Sequence, residues 1–152
     1  MTWIIGEELV TSYSANMNES WHIFEVMTRG VYCASLHTTI DELMQELTER
    51  KINGAPVTDK HGNVLGVVSL SDVAKQKMED PTGFHELPVK AIMTRRVHTI
   101  DQAATIGTAA TKFIETGVHR LIVTYNDQVV GILTPGDLLP SLLQRIGYQT
   151  NL

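Results

Sequence analysis

One short pattern occurs twice in this chain: Gly-Val-Val-Ser-Leu-Ser-Asp from Gly66 to Asp72, and Gly-Ile-Leu-Thr-Pro-Gly-Asp from Gly131 to Asp137. In each, a hydroxyl residue (Ser69, Thr134) precedes a carboxylate by three positions. That spacing reads as a helix start: the hydroxyl oxygen accepts an orphan backbone N–H, and the acid suits the positive end of the helix. Pro135 is preorganised for the first helical position. A cap needs the hydroxyl and the acid, but it does not need the same Gly-apolar-apolar lead-in twice. The repetition therefore poses two alternatives for Asp72 and Asp137: two caps alone, or two caps that also hold something.

Catalytic spacings do not accompany these acids. The sequence contains no G-x-S-x-G, no P-loop and no Cys-His pairing. Its six histidines are scattered, with no pair at i, i+4 that would suit a metal. Asp72 and Asp137 are related by repetition, so they mark two equivalent positions rather than an acid and a base facing one substrate. The expectation is a binding protein, not an enzyme.

The repetition extends over most of the chain. Val-Met-Thr-Arg-Gly-Val from Val26 returns as Ile-Met-Thr-Arg-Arg-Val from Ile92, and Thr39–Ile52 aligns with Thr105–Val118 at the same offset of 66 residues. The offset falls to 65 after the turn that joins Lys60–Asn63 to its shorter counterpart Asn126–Gln128. Loss of one residue in a turn is the change a repeat tolerates best. Within each unit the periodicity predicts a short extended piece, an amphipathic helix, two apolar strands joined by a turn, and a final helix. The helical spacing i, i+3, i+4, i+7 is met by Ile40, Leu43, Met44 and Leu47, and again by Ile106, Ala109, Ala110 and Phe113. Residues 1–20 read as an extension whose Trp3, Ile4 and Ile5 pack on the core or a neighbouring subunit. Residues 21–80 form the first unit, 81–88 a linker, 89–146 the second unit and 147–152 a tail.

Composition narrows the class. A chain of 152 residues with 43% hydrophobic content can bury one core, or two half-cores in contact. A net charge of −5 without a long basic run speaks against nucleic acid as a partner. The single cysteine, Cys33, suits a reducing compartment and the role of a small core hydrophobe. Neither a signal peptide nor a membrane-spanning segment is indicated, so the expectation is a soluble cytoplasmic protein with no membrane partner.

Taken together, these motifs resemble the CBS domain family, used in tandem as a Bateman module. The resemblance runs from about Trp21 to Arg145 and rests on the two Met-Thr-Arg segments, on Ile52–Val57 and Val118–Val123, and on the two Gly-to-Asp patterns. It implies an α/β (α+β) fold of two pseudo-twofold-related β-α-β-β-α units packed through their sheets, with two clefts between them. It also implies an adenosine ligand (AMP, ADP or ATP), a disc-like homodimer, and regulation of a partner protein. Two departures stand out. No enzyme, channel or transporter domain is attached, so regulation is expected in trans. Leu121-Ile122-Val123 stands where the first unit has Ala55-Pro56-Val57.

Within that resemblance, Asp72 and Asp137 are expected to accept the ribose hydroxyls, as an acid does in dinucleotide folds. Ser69 and Thr134 would face the phosphate at the helix start. His119 and Arg120 offer an oxyanion donor and a charged fork. They resemble the His-Arg pair that touches nucleotide phosphates in the gamma subunit of AMP-activated protein kinase. The matching Asn53 and Gly54 carry no charge, so the two clefts should differ in phosphate affinity. Ile52, Val118, Val67 and Ile132 are expected around the adenine. Tyr32 and His98, at matched positions, could stack on the base. Thr28 and Thr94 read as the ends of preceding helical turns, and Arg95 and Arg96 as charges near the cleft mouth. Two other readings remain: a protein-interaction or dimerisation module with vestigial clefts, and a sensor of S-adenosylmethionine or an NAD-type ligand.

Overall fold

Thr39 and Thr105 each set the start of a helix. Thr39 Oγ1 accepts from Glu42 N at 3.2 Å while the Glu42 carboxylate accepts from Thr39 N at 2.9 Å, a reciprocal capping box. Thr105 Oγ1 accepts from Thr108 N at 3.2 Å. These caps open α1 (Ile40–Arg50) and α3 (Ile106–Thr116), which end at Lys51 (φ 55°) and Gly117 (φ 67°) in the left-handed conformation that stops a helix. The remaining elements are β1 (Gly54–Thr58), β2 (Val64–Ser69), α2 (Leu70–Glu79), β3 (Thr99–Asp101), β4 (Leu121–Tyr125), β5 (Gln128–Leu133) and α4 (Pro135–Arg145). The computed structural model describes residues 21–145; the extension and tail expected at the two ends lie outside them.

The second unit follows the expected β-α-β-β-α order, with β3 parallel and β5 antiparallel to β4. In the first unit, β1 and β2 form an antiparallel pair and the initial extended piece shrinks to one bridge, Ala34 to Val57. Ala34 N donates to Pro56 O and Thr58 N donates to Ala34 O, both at 2.9 Å. The ladder stops there because Ser35 gives its N–H to Thr38 Oγ1 at 3.0 Å instead of to a strand. Such local side-chain acceptors compete with sheet pairing.

Each unit is completed by the other unit's leading segment. Ile23 and Met27 are buried among Ile100, Ile106, Phe113, Leu121 and Leu133 of the second unit. Val89, with Phe84 of the linker, is buried among Ile40, Leu43, Leu47, Val57 and Val68 of the first. Matching backbone bonds hold both segments: Ile23 N to Ala104 O at 3.0 Å, and Val89 N to Thr38 O at 2.7 Å. The Met-Thr segments then cross to the opposite sheets. Thr28 bridges Ile132 on β5, and Thr94 bridges Val67 on β2.

This crossing explains the repeated glycine. A Cβ on Gly66 would lie 2.7 Å from Thr94 O, and one on Gly131 would lie 2.8 Å from Thr28 O and 2.7 Å from Met27 Sδ. Only a residue without a side chain lets the crossing strand approach. Gly66→Ala and Gly131→Ala should each lower stability by about 1–3 kcal/mol, the usual cost of overpacking. Gly136→Ala, whose Cβ would meet only Thr134 Oγ1 at 3.7 Å, should be close to neutral. Urea denaturation of the three variants checks the contrast.

Residues related by the repeat that touch each other must lie beside the pseudo-twofold axis. Asn63 and Gln128 are one such pair, joined by an antiparallel bridge, with Gln128 Nε2 donating to His61 O at 2.8 Å. Gly54 and Arg120 are another. A Cβ on Gly54 would sit 3.0 Å from Arg120 Nη1.

Candidate adenosine-ligand clefts

Two clefts open on either side of this axis. The first has a volume of 270 Å³ and brings together Ser69, Asp72, Arg96, His98, Val118 and Arg120. The second, of 420 Å³, brings together Arg29, Tyr32, Arg50, Lys51, Asn53 and Arg120. Both are near the lower end of the roughly 300–1,000 Å³ range of small-molecule sites.

Asp72 is half-buried at the start of α2. Its Oδ2 accepts from Ser69 N at 2.8 Å and from Ser69 Oγ at 3.0 Å, which answers the capping question for this copy. Its Oδ1 accepts nothing among the described residues and is left for another donor. Asp137 caps in the same way, with Oδ2 accepting from Thr134 N at 2.7 Å. It lines a separate depression with Trp21 and Glu25, not the second cleft. Thr134 lines neither cleft.

Of the His119-Arg120 pair, the structure brings only Arg120 to the clefts; His119 is exposed and lines neither. Val118 and Arg120 both line the first cleft, while His119 between them sits at a bend in the chain. Arg120 forms no ion pair among the described residues. Val67 lines the first cleft, Ile52 the second, and Gly54 and Ile132 both.

Arg96, expected near the cleft mouth, lines the first cleft, and three cations that sequence reasoning passed over, Arg29, Arg50 and Lys51, line the second. Arg96 shares the first cleft with the next two residues, Val97 and His98. In the second cleft Arg50 lies over the Tyr32 ring at 5.0 Å and pairs with Glu46 at 2.8 Å. Arg29 Nη2 donates to Phe24 O at 2.7 Å. The signal for Arg29 was its place beside Thr28 in the first Met-Thr-Arg; Arg50 and Lys51 left none, because a helix C-terminus routinely carries cations. Burial, then the Glu46 carboxylate, raises the pKa of Tyr32, which keeps a neutral phenol in the cleft. Burial likewise raises the pKa of Cys33, so its thiol stays protonated near neutral pH; the residue is half-buried and lies in neither core cluster, unlike the small core hydrophobe expected.

The first cleft thus holds one carboxylate acceptor, two guanidinium groups and an imidazole among apolar lining residues. Such a set can take the diol of a sugar at one end and an anion at the other. Among the described residues, no group of three or more His, Cys, Asp or Glu could hold a metal ion, and no helix is long and apolar enough to cross a membrane.

The CBS domain profile matches residues 23–79 and 89–144. The chain belongs to the CBS domain family and carries two CBS domains in tandem, the architecture of a regulatory pair. It is 28% identical over 124 residues to the gamma subunit of 5′-AMP-activated protein kinase from Dictyostelium discoideum, covering 72% of this chain and 21% of that one. The crystal structure of CBSX2 in complex with AMP superposes with a TM-score of 0.70 at 26% identity, covering 84% of this chain and 99% of the other. The CBS domain pair of protein MJ0100, in complex with 5′-methylthioadenosine and S-adenosyl-L-methionine, shares the fold (TM-score 0.69, 23% identity, 82% and 98% coverage). Several curated relatives are longer: the chain spans 49% of a Thermofilum pendens protein to which it is 26% identical.

Proposed function

We propose that this chain is a sensor of an adenosine 5′-phosphate, AMP in the first instance, bound in the first cleft. The observation that carries the reading is that Asp72 and Arg120, one from each unit, face a single cleft. The Asp72 Oδ1 would accept the ribose hydroxyls while Ser69 and the cap remain as they are. Arg120 and Arg96 would hold the phosphate, and His98 would stack on the base. The AMP complex of CBSX2 supports the ligand class. Two guanidinium groups disfavour the sulfonium cation of S-adenosylmethionine, so phosphate is the better match.

Because its ends are held by different units, the ligand would favour the arrangement in which those units are closest. Differential affinity of this kind is what a switch requires. No catalytic step is assigned to the chain; its output would be a change in a homodimer or in a regulated partner protein in the cytoplasm. Met78 on α2, Ile114 on α3 and Leu139 on α4 present 85%, 83% and 57% of their surfaces to solvent, and this apolar area suits a second copy.

Thermal unfolding with AMP, ADP, ATP, S-adenosylmethionine and NADH tests the reading. AMP at about 100 times its Kd should add about 2.7 kcal/mol to apparent stability. Asp72→Ala should lose most of that gain while costing about 1 kcal/mol as a lost cap. Sedimentation of the same samples at about 10–50 μM, within the range of ordinary association constants, reports whether occupancy alters a dimer. No shift with any ligand would leave an interaction module whose acids only cap; an equal shift in Asp72→Ala would leave a ligand site in which Asp72 only caps.

A further inference from the structure

The depression beside Asp137 is a cavity of 340 Å³, large enough for a small organic ligand. Trp21, Val26 and Pro140 give it an apolar lining, Glu25 and Asp137 give it two carboxylates, and no Lys, Arg or His lines it among the described residues. Each acid keeps one oxygen to spare. Asp137 Oδ2 accepts from Thr134 N at 2.7 Å, and Glu25 Oε2 accepts from His22 N at 2.8 Å, with His22 Nδ1 3.8 Å away. Asp137 Oδ1 and Glu25 Oε1 accept nothing among the described residues. The positive end of α4 offsets part of the Asp137 charge. With Glu25 beside it, the cavity stays negative.

The repeat supplies an internal comparison. At the equivalent positions of the first unit Leu87 stands for Trp21, Ala91 for Glu25 and Lys75 for Pro140. Trp21 packs against the second core as Leu87 packs against the first. The fold therefore needs an apolar residue at this place, but it needs neither an indole nor a neighbouring carboxylate. Both are additions of the second unit, made where the first unit carries a cation.

An indole, two carboxylates and aliphatic lining, without a competing cation, match one chemical class. A cation sheathed in methyl groups gains from the aromatic face, from the apolar lining and from the negative charge together. A hydrated metal ion would leave Trp21 and Val26 unused, and among the described residues no group of three or more His, Cys, Asp or Glu could ligate one. We propose that this cavity binds a choline-like quaternary ammonium cation, with Trp21 facing its methyl groups and Glu25 and Asp137 balancing its charge. The ligand is the free cation: a phosphorylated headgroup would bring its anion to two carboxylates with no cation to meet it. The site is separate from the first cleft and does not depend on the AMP reading.

Ligand-observed NMR of the full chain with choline chloride, at constant ionic strength, is the test. The methyl resonance of choline should broaden with the parent. Trp21→Leu, which copies the first unit, should weaken binding by about 3- to 30-fold, the range of cation–π contacts. Asp137→Asn and Glu25→Gln keep an acceptor oxygen for Thr134 N and His22 N and remove only charge. Each should weaken choline by about 2- to 5-fold, as loss of a partly exposed ion pair does. Dimethylbutanol, the uncharged carbon isostere of choline, and phosphocholine should both bind more weakly than choline. If Trp21→Leu failed to fold, the two isosteric variants would still decide. No broadening of choline by the parent, equal binding of choline and dimethylbutanol, or binding unchanged in both Asp137→Asn and Glu25→Gln would overturn the site. Tighter binding of phosphocholine than of choline would overturn its assignment to the free cation.

Discussion

Replacing Arg120 by alanine should weaken AMP binding by about 10- to 100-fold and leave adenosine almost unaffected. A hydrogen bond to a charged group contributes about 1.5–3 kcal/mol, and each 1.4 kcal/mol is a factor of ten. The guanidinium lies at the axis beside Gly54, lines the first cleft together with Asp72, and has no carboxylate partner among the described residues. Its interaction with a phosphate would therefore carry no cost of breaking an ion pair. Adenosine has the ribose and base but no phosphate, so it should report only on Asp72 and the cleft walls. The AMP loss should shrink as salt rises, because Arg120 is open to solvent. His119→Ala should leave both ligands unchanged, since His119 lines neither cleft. Calorimetry with the two ligands and the two variants forms a cycle with the phosphate as one partner. Equal losses for AMP and adenosine would make Arg120 a shaping residue of the cleft.

Local signals in the sequence carried most of the fold. The caps at Thr39 and Thr105, the helical spacing of Ile40, Leu43 and Leu47, and the turn at Asn126 and Asp127 each depend on neighbours within a few residues. Asn126 and Asp127 both take positive φ, 49° and 64°, as a two-residue hairpin loop requires. The loss of regular pairing around Cys33 was legible in part, because Ser35 and Thr38 are residues that divert backbone groups from a strand. The site was less legible, because its composition is decided across the axis. Nothing near Arg120 in sequence says that Gly54 makes room for it, or that Arg29 and Lys51 meet in one cleft. Asp72 and Asp137 look alike over seven residues and line different cavities, because what faces each acid comes from distant segments: Arg96 and His98 for one, Trp21 and Glu25 for the other.

The exchange of leading segments makes a second prediction of comparable size. Ile23 belongs to the first repeat in sequence but is fully buried in the core of the second, beside Phe113 and Leu121. Ile23→Ala should cost about 2–5 kcal/mol, as large-to-small changes at buried sites do. The loss should be felt first in the second unit: hydrogen exchange should quicken in α3, β4 and β5 before it does in α1 and β1. Val89→Ala removes less side chain and should cost less, with the order reversed, since Val89 packs on Ile40, Leu43 and Val57. Sub-global openings of this kind are what native-state exchange resolves. Faster exchange around α1 in Ile23→Ala would contradict the exchanged arrangement. The consequence reaches the clefts, because the same segments continue into their walls. Thr94, pinned to Val67 of β2 by bonds of 2.8 and 2.9 Å, leads directly to Arg96 and His98, so these two residues of the first cleft hang from a strand that belongs to the other repeat. Val89→Ala should therefore weaken AMP in the first cleft more than Ile23→Ala does, since it loosens the segment that leads to Arg96 while Ile23 anchors the one that leads to Tyr32.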